Sequence, residues 1–169
     1  MTTARRVVAG EQVDALLDAL ASGSTEPGSG AYAALSAAAG AALITSVAQR
    51  TLRRLDVDDD PTARLTEIAE EADAARPVLF ALADRNAEIH GELALAARMP
   101  QETDEQRTAR LLTLRSVLED AVDVQLDLAR RSVLLAGLAE ETTIAADPNA
   151  AVTDLVQITR RAARRSETA

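Results

Sequence analysis

A chain of 169 residues, 47% hydrophobic and 27% charged, is the size of one domain able to bury its own core, so residues 1–169 read as a single domain with 1–9 and 166–169 as flexible ends. Its 18 basic residues, every one an Arg, stand against 27 acidic ones for a net charge of −9, which excludes a general phosphate-backbone surface and sets nucleic acid aside as a partner. The absence of cysteine excludes disulfides, thiolate metal sites and cysteine nucleophiles. With Tyr32 and Phe80 the only aromatics, the core falls to Leu, Ala, Val and Ile, a composition that suits closely approaching helices. No stretch alternates with period two, so the expected class is all-α, an up-and-down bundle.

The first element is an amphipathic helix over 10–21, with Val13, Leu16, Leu17 and Leu20 spaced i, i+3, i+4 and i+7. It ends in a loop, 22–30, dense in Gly, Ser and Pro. Residues 31–55 then form a second helix whose Ala, Ser and Gly positions spread around the cylinder, so it should be buried on several sides. Asp60-Pro61 supplies a cap and a first-turn proline for a third helix reaching Met99, with a kink near Arg76 ahead of Pro77, or a split into two helices there. Pro100 closes it. Thr103 and Gln106 have capping-box spacing and open a fourth helix that runs to about Ala146. At ~1.5 Å per residue it would be on the order of 60 Å long, more than one small domain covers, which points to a homodimer. Asp147-Pro148-Asn149 turns into a fifth helix carrying Val152, Leu155, Val156 and Thr159. The N-terminal MTTARRVVAG lacks the apolar core of a secretory signal and no segment is read as a membrane span, so a cytoplasmic location and no membrane partner are expected.

Chemistry concentrates first in the glycine loop. Glycines let backbone amides approach a ligand, and the free amides of a helix N-terminus favour an anion or a developing oxyanion. The pattern is neither a P-loop nor a dinucleotide fingerprint, and a tight turn between packed helices accounts for the glycines equally well. Arg50, Arg53 and Arg54, like Arg160, Arg161, Arg164 and Arg165, read as helix C-terminal charges facing water, or as an anion clamp. His90 is the only imidazole and a possible general base, but lies about 600° from Asp84 around the helix, so the two share no face. Carboxylate pairs such as Glu70/Glu71 and Glu140/Glu141 lack a facing His, and no metal is expected.

Residues 13–47, VDALLDALASGSTEPGSGAYAALSAAAGAALITSV, resemble the opening of the cyclodeaminase/cyclohydrolase family, the C-terminal part of formiminotransferase-cyclodeaminases. The family pattern is an amphipathic helix, a Ser-rich turn, Thr-Pro-Gly-Gly-Gly-Ser and a long Ala/Gly-rich helix. Leu82-Ala83-Asp84-Arg85-Asn86-Ala87 stands where the family has Leu-Val-Asp-x-Asp-Ala. Arg98-Met99-Pro100-Gln101 stands at its Leu-Pro-Lys turn, followed by an Arg matched here by Arg107 or Arg110, and 148–154 resembles its Gly-Asn-x-x-Ala-Ser-Asp stretch.

The resemblance implies a cyclodeaminase-like all-α fold of about five main helices, a homodimer and a small-molecule site near the glycine loop and the subunit interface. It calls for no certain cofactor; a tetrahydrofolate derivative enters as substrate. The implied reactions close 5-formiminotetrahydrofolate with loss of ammonia or hydrolyse a methenyl bridge, and they need a proton-moving carboxylate and dipoles around a cationic or tetrahedral carbon. Catalytic candidates are Asp84, Asp154, Asn86 and His90; substrate-binding candidates are Glu26, Pro27, Gly28, Ser29, Gly30, Tyr32, Arg107 and Asn149. The sequence departs from the pattern at Asn86 for Asp, Gln101 for Lys, Glu26 for Thr and Gly28-Ser29-Gly30-Ala31 for Gly-Gly-Gly-Ser. Two readings stand: an enzyme on an imine, amidine or iminium carbon whose substrate has drifted from folate, or a helical binding scaffold that has lost the site.

Overall fold

A computed structural model describes residues 12–23, 27–55 and 62–146, and every described element is helical. Helix α1 spans Val13–Ala21, α2 Ser29–Leu52, α3 Thr62–Ala97 and α4 Asp104–Ala145. The expected fifth helix and both expected flexible ends lie outside the described residues. The chain groups into two compact units, one drawn from Met1–Ala34 and Phe80–Asp127, the other from Leu35–Leu79 and Leu128–Ala169.

Pro77 sits inside α3 without ending it, so one 36-residue helix forms rather than two. A proline in a helix interior costs about 3 kcal/mol. The residues around it offset that cost by burial: Ala72, Ala75 and Leu79 are all withdrawn from water. The start of α4 is built as its sequence reads. The Gln106 backbone N–H donates to Thr103 Oγ1 at 3.2 Å, and the Thr103 N–H donates to Gln106 Oε1 at 3.2 Å. Beside this box the Glu105 carboxyl is held below its usual range by its own backbone N–H and the Thr103 hydroxyl.

In the unit containing Leu35–Leu79, the interior is aliphatic: Ile44, Leu65, Ile68, Leu79, Leu135 and Leu138 are fully buried. Its buried hydroxyls are satisfied locally, Thr45 donating to Ala41 O, Ser132 to Leu128 O and Thr142 to Leu138 O. At its surface Arg64 Nε donates to Glu141 Oε2 at 2.6 Å, tying α3 to α4 and holding the Glu141 carboxyl below its usual range.

Helix α2 corrects one expectation. Its length and apolarity do meet those of a membrane span. Burial accounts for that character, since Ala31, Ala34, Ala38, Ala41, Ile44, Val47 and Ala48 all pack inside the protein.

In the unit containing Phe80–Asp127, α3 and α4 run antiparallel. Arg110 donates to the Ala97 carbonyl, Arg85 to Asp120 and Gln125 to Asn86, so later residues of α4 meet earlier residues of α3. Helix α1 joins this unit through the Tyr32 hydroxyl, which donates to the Leu16 carbonyl at 3.1 Å. Of the four apolar residues in the α1 stripe only Leu16 is buried; Val13, Leu17 and Leu20 face water.

Candidate functional site

The loop before α2 is positioned by Pro27, which is fully buried, and by Gly28, whose φ of 96° is a left-handed conformation that side chains other than hydrogen strain. The Ala31 N–H then donates to the Gly28 carbonyl at 3.2 Å and closes the first turn of α2. Both glycines are met by side chains. A Cβ at Gly28 would stand 3.4 Å from the Cβ, Cγ and Nδ1 of His90. A Cβ at Gly30 would overlap Asn86 Oδ1 and lie 2.5 Å from Gln125 Nε2, so any side chain there must displace the bonded ends of Asn86 and Gln125.

Asn86 and His90 are one turn apart on α3, about 40° in rotation, and so present one face to the two glycines. Asn86 is buried and held at both ends of its amide: Nδ2 donates to the Leu82 carbonyl at 2.8 Å, and Oδ1 accepts from Gln125 Nε2 at 2.6 Å. An amide suits this position better than a carboxylate, because the atom facing Leu82 O must be a donor. Gln125 was not visible as a site residue from the sequence. Its one signal is a lone amide within the largely aliphatic run of AVDVQLDLA on α4.

The remaining candidates are distributed as follows. Ser29 is exposed at the first position of α2, and Tyr32 lies one turn further, engaged with α1. Asp84 is about 200° from Asn86 around α3, away from the face that meets the glycines. Its neighbour Arg85 is pinned by Glu88, Glu92 and Asp120, and Glu92 chiefly raises the guanidinium's already high pKa. Arg107 donates to the carbonyls of Gln101 and Glu102 at 3.0 and 3.2 Å and pairs with Asp104, so it braces the α3–α4 turn. Eighteen residues separate it from Gln125, roughly 27 Å along α4, and it is not brought to the loop. Arg110 is likewise taken up at that turn, by Gln101 Oε1 and Ala97 O. Glu26, Asn149 and Asp154 lie outside the described residues, as does the second Arg group. Among the described residues no His, Asp and Glu side chains gather as a metal-holding group.

The structure therefore joins Gly28, Gly30, Asn86, His90 and Gln125: a glycine loop at a helix N-terminus, an amide pair and an imidazole. Such a set can surround a polar, planar or cationic centre with donors, acceptors and one group able to exchange a proton.

The sequence profile of the Formiminotransferase-cyclodeaminase family matches residues 12–165. The chain belongs to this family. Over 123 residues it is 32% identical to the methenyltetrahydrofolate cyclohydrolase of Methylorubrum extorquens, across 71% of this chain and 57% of that protein. Over 107 residues it is 37% identical to the formimidoyltransferase-cyclodeaminase of Mus musculus, across 63% of this chain and 19% of the mouse protein. The alignments thus span little more than half of the first relative and about a fifth of the second. A crystal structure of formiminotetrahydrofolate cyclodeaminase from Thermotoga maritima shares the fold, with a TM-score of 0.52 and 26% identity over 94% of this chain and 80% of that one. For this family member, the helix–glycine turn–helix opening read from 13–47 is thus carried by a common all-helical architecture.

Proposed function

We propose that this chain is a cyclodeaminase/cyclohydrolase-like enzyme that acts on a C–N bond at an imine, amidine or iminium carbon, by cyclisation, deamination or hydrolysis. One observation carries the reading: Gly28 and Gly30 are kept free of side chains while polar groups from α3 and α4 close on them. All three relatives named above are named for cyclohydrolase or cyclodeaminase activity, which supports the reading. Backbone amides at the start of α2 supply dipoles for a tetrahedral oxygen, and Asn86 and Gln125 offer fixed amide dipoles nearby. Asp154 remains a candidate carboxylate; Asp84 faces another side of α3.

The substrate is proposed to have drifted from folate. Arg107, a substrate-binding candidate, braces a turn instead, and Gln101 stands in place of a Lys whose charge could meet a glutamyl tail. The test is turnover of 5,10-methenyltetrahydrofolate and 5-formiminotetrahydrofolate, alongside simpler cyclic amidines, by the intact chain and by Gly28→Val and Asp154→Ala. An enzyme loses turnover in both variants while staying folded. A scaffold, the second reading and one favoured by the fully committed Asn86 amide, turns over nothing and tolerates Asp154→Ala.

The protein is further proposed to be a cytoplasmic homodimer. Among the described residues, ten of the thirteen large apolar side chains left exposed belong to the unit containing Phe80–Asp127. Four of them, Leu111, Leu118, Val122 and Leu126, fall within one stripe of α4. At roughly 60–120 Å² per buried aliphatic side chain, this stripe would supply the apolar centre of an interface of about 800 Å² per partner, the size of a stable one. A second copy, with the same stripe, is the occupant. Sedimentation equilibrium of Leu118→Glu/Val122→Glu should show a monomer where the native chain shows a dimer.

A further inference from the structure

Three polar side chains stand against the glycines, and they are not equivalent. Asn86 and Gln125 are bonded to each other, with the second end of Asn86 on the Leu82 carbonyl. Amides neither gain nor lose protons near neutral pH. His90 is half-buried, lies along Gly28 and, among the described residues, has no hydrogen-bond or ion-pair partner for either ring nitrogen. Asp84, the described carboxylate in the family-like segment, points away from this face. Of the groups set against the loop, the imidazole alone has a ring nitrogen that can take up a proton and give it back.

We infer that His90 is the proton-transfer residue of the glycine-loop site, acting where substrate carbon and nitrogen meet beside Gly28. The inference rests on the C–N bond chemistry proposed above and says which side chain moves the proton. For hydrolysis of a cationic amidine-type carbon, water oxygen bonds to that carbon while one water proton passes to the neutral imidazole, quenching the substrate charge. The C–N bond then breaks with its electron pair staying on nitrogen. That nitrogen takes the proton back from the imidazolium, and the remaining hydroxyl proton leaves to solvent as the C=O bond forms. One water is consumed and one proton released, with no redox change and no other reactant. An imidazole suits both halves because its neutral ring nitrogen accepts a proton and the imidazolium so formed can return it.

Its surroundings let it play that part. On α3 the i±3 and i±4 neighbours are Asn86, Ala87, Leu93 and Ala94; the loop beside it offers Pro27, Gly28, Ser29 and Gly30, and α4 offers Gln125, so none of these carries a charge. The nearest charges along α3, Glu88 and Glu92, are both bonded to Arg85. Glu26 precedes the loop in sequence, outside the described residues.

Because the chain has a single His, its imidazole is identified without ambiguity. The experiment has two arms. In the first, kcat/KM for 5,10-methenyltetrahydrofolate, above the uncatalysed rate, is followed from pH 5 to 8 for the native chain and His90→Gln. The native profile should fall on its acid side as the proton-accepting base is lost, and His90→Gln should lose that inflection with a rate about 10²- to 10⁴-fold lower. In the second, nitrogen NMR of the imidazole is recorded as 5-formyltetrahydrofolate is added, with calorimetry on both proteins. The imidazole signals should move on binding, and the variant should bind within threefold of native. A variant that keeps its rate and inflection, or an imidazole unmoved while ligand binds, overturns the assignment and leaves the enzyme reading intact. A native chain that turns over and binds neither these folates nor a simple cyclic amidinium, run through the same two arms, overturns the enzyme reading itself, and the assignment with it. Unfolding curves on His90→Gln confirm that the variant is folded.

Discussion

The unit built from Leu35–Leu79 and Leu128–Ala169 and the unit built from Met1–Ala34 and Phe80–Asp127 use one aliphatic alphabet in opposite ways. The first contains Ile44, Leu65, Ile68, Leu79, Leu135 and Leu138, all withdrawn from water. The second buries mainly alanines and a few larger residues such as Leu16, Leu82 and Ile89, and leaves Leu111 at 64% and Val122 at 57% exposed. It is also where the glycine loop, the Asn86–Gln125 pair and His90 meet. A self-sufficient interior and the candidate site are thus carried by different stretches of the same three long helices. The polar site coincides with the region least able to satisfy its apolar surface alone, which is where a second copy is expected.

The largest expected effect sharpens that contrast in stability. Ile68→Ala or Leu135→Ala removes a fully buried side chain and should cost about 2–5 kcal/mol in urea unfolding. Leu118→Ala, in the exposed stripe, should cost under about 1 kcal/mol when measured on dilute monomer. Equal losses would break the comparison.

Next comes Gly30→Val. A side chain there collides with Asn86 and Gln125, so about 1–3 kcal/mol should be lost and the Asn86 side-chain amide signal should shift. Asn86→Asp makes the following test, through pH. Burial and the facing Leu82 carbonyl both disfavour a carboxylate, so the new group's folded pKa is raised above its unfolded value. The folded state then holds a proton that the unfolded state releases, and the variant's stability should drop by about 1–3 kcal/mol between pH 4 and pH 7. Native protein should show no matching decline.

The smallest effect belongs to Glu141→Gln on the exposed Arg64 pair. The Arg64 hydrogen bond lowers the folded pKa of Glu141, so its contribution is present above the ordinary carboxylate range and is lost as pH falls through the lowered value. Native and variant curves should converge at acid pH and differ slightly, in a salt-dependent way, at neutral pH.

Much of the fold was legible because helical periodicity and punctuation are local. Thr103 and Gln106 announced the cap that forms, and α1, α2 and α4 lie within three residues of their read positions where described. Pro77 illustrates the limit: whether a helix survives an internal proline depends on burial around it, which no local rule supplies. The site was half legible. The glycine loop and Asn86 were in view, yet the i, i+4 relation of Asn86 to His90 gained meaning only once both faced glycines, and Gln125 is 39 residues away from its partner. Arg107 was read through a family position, whereas its hydrogen bonds make it part of a turn.

The central claim is that Gly28, Gly30, Asn86, His90 and Gln125 form one ligand site. Two-dimensional NMR of the intact chain titrated with 5,10-methenyltetrahydrofolate, or with a simple cyclic amidinium, tests it directly. The account predicts shifts concentrated on those five residues. Saturable binding with shifts elsewhere, along the α3–α4 turn at Gln101 and Arg107 for example, would contradict it.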